Sequence, residues 1–100
     1  MTNFDKDDDI TEKSFDSIVE YLFENFSEKE VINFISATEI KIQLIENNPL
    51  MYRQSGKYKT YHYTNILRKT ILVYRVKKRN QSVELIHFWN GRQNPSRFNI

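Results

Sequence analysis

Lys57–Asn90, KYKTYHYTNILRKTILVYRVKKRNQSVELIHFWN, decides the fold, because β-branched and aromatic residues gather there into three short runs divided by polar ones. The runs are Tyr58–Thr64, Thr70–Lys77 and Val83–Asn90, and each predicts a strand. Their linkers, Asn65–Lys69 and Lys78–Ser82, are short and polar, so the strands should pair as an antiparallel meander. Upstream the period changes. Phe15, Ile18, Val19, Leu22, Phe23 and Phe26 form the stripe of an amphipathic helix, with Thr11 or Ser14 as its cap. Ser27 followed by Glu30 is a capping-box pattern that restarts the stripe at Val31, Phe34, Ile35, Thr38, Ile42 and Ile45. Asn47-Asn48-Pro49 ends this second helix, because proline lacks an amide proton and drives its predecessor out of helical geometry. Two helices need an apolar sheet face to cover. The expected class is therefore α+β, with two N-terminal helices packed on one face of a small antiparallel sheet as a two-layer sandwich, the other face left for a partner.

The chain has 100 residues, 39% of them hydrophobic, which allows one domain and excludes an enzyme with separate cofactor and substrate lobes. It contains no Cys, so disulfides, thiolate nucleophiles and Cys-based zinc sites are out of reach. No apolar run approaches the ~20 residues that span a bilayer, and the acidic start is unlike a secretory signal, so a soluble cytoplasmic protein without a membrane partner is expected.

The net charge of +2 hides a separation. Residues 1–50 hold twelve acids against four lysines, whereas residues 51–100 hold eleven Lys and Arg against Glu84 alone. A basic block among Tyr, His, Phe and Trp suits a phosphate-binding surface, since cations neutralise phosphates and aromatic faces stack on bases. The same block would also serve simply to neutralise the acidic half.

The closing stretch, Leu72-Val73-Tyr74-Arg75-Val76 and then Val83-Glu84-Leu85-Ile86-His87-Phe88-Trp89-Asn90-Gly91-Arg92-Gln93-Asn94-Pro95, resembles the RelE/ParE superfamily of bacterial toxins. There a tyrosine-bearing strand, a turn and an apolar strand lead into an Arg, often with a nearby Pro. The likeness extends over roughly residues 10–98, through the helix pair, the Asn-Pro stop and a basic strand before the tyrosine strand. It implies the toxin of a type II toxin–antitoxin pair, with growth inhibition and plasmid stabilisation as its role and a cognate antitoxin as its partner. Its target would be ribosome-bound mRNA, which is cut, or, in the ParE branch, DNA gyrase, which is poisoned. Two features depart from the pattern. The family's first apolar strand corresponds here to a mostly acidic Asn3–Asp9 with Phe4, so residues 1–9 read as either a degenerate strand or disorder. Ser96-Arg97-Phe98-Asn99-Ile100 lacks the Tyr or His that often follows the arginine in the ribonuclease branch, which favours the ParE-like branch.

If RNA is cut, the 2′-hydroxyl attacks the adjacent phosphate, which requires a base, an acid and a cation but neither a metal nor a cofactor. Arg92 matches the family's arginine and suits the phosphate; the alternative is an arginine that ties down the tail. Lys57 and Lys59, two apart, should share a strand face with Tyr61 and Tyr63, resembling the ribonucleases' paired lysines. Lysines that guard an edge strand would look the same. Imidazole is a ready general acid or base near neutral pH, which makes His87 and His62 candidates for the proton transfers, although alternation alone does not assign their faces. Arg75, Lys77, Lys78 and Arg79 cluster at the last turn, where they would hold a nucleic-acid backbone or simply be solvated. Trp89, in an apolar strand, is expected in the core.

Overall fold

The structure, a computed structural model, describes residues 3–5, 9–67, 69–77 and 82–91, with the backbone alone at 3–5, 9 and 10. Its two helices are α1, Asp9–Asn25, and α2, Glu28–Asn47. Ser27 caps α2 from an extended conformation (φ −101°), its side chain accepting the Glu30 N–H, while Glu28 and Glu30 place negative charge at the positive end of the helix dipole. At the other end the Asn48 N–H bonds to Leu44 O at 3.0 Å and the chain leaves through Pro49.

Five strands follow one another across the sheet in the order β1-β5-β4-β3-β2: β1 Asn3–Asp5, β2 Arg53–Gln54, β3 Tyr61–Ile66, β4 Thr70–Lys77 and β5 Ser82–Asn90. The predicted meander is β3-β4-β5, antiparallel throughout. Two short edges add to it. β1 lies parallel to β5, pairing Phe4 with Val83, and β2 lies antiparallel to β3, pairing Arg53 with Tyr63. Neither edge is long enough to show a period in the sequence.

The third strand starts later than its composition suggests. The Ser55 hydroxyl accepts the N–H groups of Lys57 and Tyr58, both at 3.0 Å, and the Tyr61 N–H bonds to Tyr58 O at 3.0 Å. These bonds fold residues 56–60 into a turn between β2 and β3. Lys57 and Lys59 therefore stand exposed on that turn and do not share a strand face with Tyr61 and Tyr63.

Ile18, Leu22, Val31, Phe34 and Ile45 from the helices meet Ile66, Leu72, Tyr74, Val83, Leu85 and Phe88 from one face of the sheet in a single buried cluster. Each such side chain contributes roughly 1.5–3 kcal/mol on burial. Thr11 and Ser14 lie inside α1 and do not cap it; their hydroxyls turn to β5 instead. Thr11 Oγ1 donates to Leu85 O at 2.7 Å and reaches Ile86 O at 2.9 Å, and Ser14 Oγ accepts the Phe88 N–H at 3.0 Å.

Those bonds sit on an irregularity in β5. Val73 pairs with His87 and the next residue, Tyr74, pairs with Leu85, leaving Ile86 as the extra residue of a β-bulge. The bulge inverts the alternation. Val83 and Leu85 face the helices, and beyond Ile86 it is Phe88 and Asn90 that turn inward. Unbroken alternation would put Trp89 on the inner face with Leu85. Trp89 instead lies half-buried beside Ile71 on the outer face, which corrects its assignment to the core.

Candidate functional site

The face of the sheet turned away from the helices is built from alternate residues of three strands. Tyr61 and Tyr63 project from β3, Val73, Arg75 and Lys77 from β4, and Glu84, His87 and Trp89 from β5. At the β2 edge the Arg53 guanidinium lies 5.8 Å from the centre of the Tyr63 ring, a cation–π contact. Tyr58, from the turn, brings its ring within 5.2 Å of Tyr61. The result is a surface of aromatic rings and cations around a buried Val73.

The two histidines take opposite faces. His62 is buried on the helix side, its Nδ1 3.0 Å from Tyr52 O and its ring stacked on Tyr74 at 5.5 Å. Tyr74 is fully buried and donates its hydroxyl to Pro49 O at 2.8 Å, and burial pushes its phenol well above the ordinary tyrosine range. His87 is on the outer face, 6.4 Å from Trp89, and partial burial lowers its pKa below the ordinary 6.5. An imidazole in that state is neutral at pH 7.

The basic cluster is divided between different environments. Arg75 forms an ion pair with Glu84, its cross-strand neighbour, and Lys77 Nζ lies 3.9 Å from the same carboxylate. Lys78, Arg79 and Arg92 lie outside the described residues. Of the four groups named for phosphodiester cleavage, Lys57 and Lys59 stand at the Tyr61 end of the sheet and His87 in the middle of β5. Arg53 and the turn residue Tyr58 were not singled out in the sequence. A cation in a two-residue strand, too short to show a period, leaves no local signal.

A second surface opens between the helices. Phe15, Ile35, Ile42, Leu85 and Phe88 line a groove of ≈ 380 Å³ between α1 and α2, and Glu12, Asp16 and Glu39 stand on its rim. Phe15 anchors the floor, with its ring 5.4 Å from Phe34 and 5.2 Å from Phe88. The acidic half of the chain thus flanks an apolar trough, while the basic half carries the open sheet face.

Residues 9–95 match the family model of the ParE toxin of type II toxin–antitoxin systems, parDE. The chain belongs to the ParE toxin family. No curated protein matches it. Among solved structures, the solution structure of the conserved hypothetical protein HP0892 from Helicobacter pylori is similar at TM-score 0.55, with 16% identity over 93% of this chain and 98% of that one. That likeness is one of fold: helix pair, then sheet. Membership of the ParE toxin family makes the chain a toxin component and implies a cognate antitoxin as its partner. Among the described residues no helix is long and apolar enough to cross a membrane.

Proposed function

We propose that this ParE-family chain arrests growth by acting on DNA gyrase in the cytoplasm, and that its cognate antitoxin holds it inactive until then. The match of residues 9–95 to the ParE branch carries this reading. The positions of the groups a ribonuclease would need support it. Cleavage requires base, acid and cation within hydrogen-bond reach of one phosphate. Lys57 and Lys59 stand exposed on the turn before β3, off the sheet face that carries His87. In the same reading the antitoxin occupies the groove between α1 and α2. An apolar floor with Glu12, Asp16 and Glu39 on its rim fits an amphipathic segment bearing Lys or Arg.

Pulse labelling of protein synthesis after induction without antitoxin tests the target. Gyrase action predicts normal incorporation in the first minutes, then growth arrest with loss of negative supercoiling in a reporter plasmid. Immediate collapse of incorporation would instead make the chain a ribosome-dependent ribonuclease. Normal synthesis with normal growth would leave a binding module on the same fold.

A further inference from the structure

After α2 the chain is anchored on both sides of two apolar residues. The hydroxyl of the buried Tyr74 donates to Pro49 O at 2.8 Å, and Tyr52 O lies 3.0 Å from Nδ1 of the buried His62. Lys41 Nζ stands 4.8 Å over the centre of the Tyr52 ring, so the segment doubles back along the helix, and the Met51 N–H closes the turn on Asn48 O at 3.2 Å. Leu50 and Met51, held between these anchors, are 59% and 50% exposed. Beside them on the last turns of α2, Ile40 and Leu44 share one side of the helix and are 59% and 42% exposed. A segment tied to buried tyrosine and histidine displays its apolar side chains in a fixed place, already ordered for a partner. Four side chains of this size, about half exposed, leave on the order of 400 Å² of apolar surface, as large as the biggest patch on an ordinary monomer.

Charge selects the partner. The patch's exposed neighbours among the described residues, Gln43, Asn47 and Asn48, carry none. Lys41 is engaged by Tyr52 and Arg53 by Tyr63, while Glu39 stands on the rim of the groove between the helices, with Glu46 seven residues on along that same flank. A phosphate or a charged peptide would find no counterion here. Phe23 and Phe26, exposed at the other end of the helix pair, lie among Glu24 and Glu28 and would meet their own copies with like-charge repulsion. The patch on α2 meets its own copy across a two-fold axis without that cost. Ile40 and Leu44 form a ridge at i, i+4, and two such ridges interdigitate when helices cross at about −50°.

We propose that a second copy of this chain docks on this patch, the two α2 helices crossing at a two-fold axis beside Ile40 and Leu44, with Leu50 and Met51 closing the contact on either side. Gln43, Asn47 and Asn48 supply the polar rim, which brings the contact toward the ~800 Å² per partner of a standard interface. The groove lies on the flank of α2 marked by Glu39 and stays open in the pair. The pairing rests on neither the target nor the place of the antitoxin.

Sedimentation velocity of the purified full chain tests this over about 1–100 μM, the range suited to an interface at the small end of the stable class. A monomer–dimer equilibrium is expected, and it should persist in high salt because no ion pair holds it. Leu44→Asp and Leu50→Asp, both at exposed positions, should each raise the dissociation constant about tenfold or more, since the pair would then bury an unpaired carboxylate. The chain has no Cys, so a single engineered thiol reports on its own counterpart. Oxidation should trap a disulfide-linked dimer from Ile40→Cys or Leu44→Cys, whose counterparts approach within bonding distance at the crossing, and not from Phe23→Cys. This second readout does not depend on how well the Asp variants fold. A monomer throughout the range, association that both Asp variants leave intact, growth beyond dimers into polymers, or trapping from Phe23→Cys alone would each overturn the proposal. So would a monomeric chain in which Leu50→Asp abolishes capture by the antitoxin, which would give the patch to that partner.

Discussion

Thr11 and Ser14 have hydroxyls that local rules would assign to the start of a helix, yet each is committed to a strand more than seventy residues away in the sequence. The reason lies in their partners. A bulge leaves backbone groups out of the ladder, carbonyls facing Thr11 and the Phe88 N–H facing Ser14, and a buried backbone group without a partner costs about 1–3 kcal/mol. Thr11→Val keeps the shape and removes the donor, so we expect it to lower unfolding free energy by about that amount, read from chemical denaturation. An unchanged midpoint would mean that solvent satisfies Leu85 O and Ile86 O. His87 makes a second prediction at this scale. Its pKa is depressed in the folded chain, so below the ordinary 6.5 the unfolded chain takes up a proton that the folded one resists. His87 therefore leaves stability whole above that pH and erodes it as pH falls through 6.5, until its folded pKa is passed. The difference in melting temperature between the parent and His87→Gln should shift in the variant's favour from pH 7.5 to pH 5.5, about the window of histidine titration. A constant difference would show His87 to be freely protonated.

The elements themselves were largely readable along the chain. Both helices run where their apolar stripes place them, although Phe23 and Phe26 at the end of the first stripe stand exposed, Phe26 beyond α1, and Ser27 caps α2 as its spacing predicts. β4 spans Thr70–Lys77 and β5 extends the predicted run by Ser82 alone. What alternation misassigned was the outer end of β5, because Ile86 adds one residue and every side chain beyond it changes face. Removing Ile86 should restore strict alternation and force Phe88 out or the register to slip. Loss of Phe88 from the core is worth about 3–5 kcal/mol, so the deletion variant should unfold at markedly lower denaturant concentration. If it kept the parent's stability with Trp89 emission shifted to the blue, the bulge would be dispensable and the strand free to re-register. β2 and the late start of β3 escaped the sequence, and β1 stood there as only one of two readings, for a related reason: two- and three-residue edges have no period, and the Ser55 hydroxyl converts β-prone residues into a turn.

For the molecule as a whole, the charge separation becomes two layers. The helices and the rim of their groove carry Glu12, Asp16 and Glu39, and the sheet carries Arg53, Arg75 and Lys77 on its outer side. The proposed antitoxin contact inherits the sign of its layer. Glu39→Lys, an exposed change on α2, should weaken capture by the antitoxin about tenfold or more while leaving the helix intact, measured by titration of the purified pair. Affinity indifferent to this reversal would move the antitoxin elsewhere on the surface. Family, helices, the three-strand meander and the layer order were within the sequence's reach, because apolar period, caps and turn residues are local and the motif of the last strands is contiguous. Which way His87 and Trp89 face, that Arg75 is held by Glu84, and that Lys57 and Lys59 leave the sheet face were decided by the tertiary structure. Each depends on a hydrogen bond or register between segments that meet only in the folded chain, and a one-residue bulge is enough to turn a side chain from core to surface.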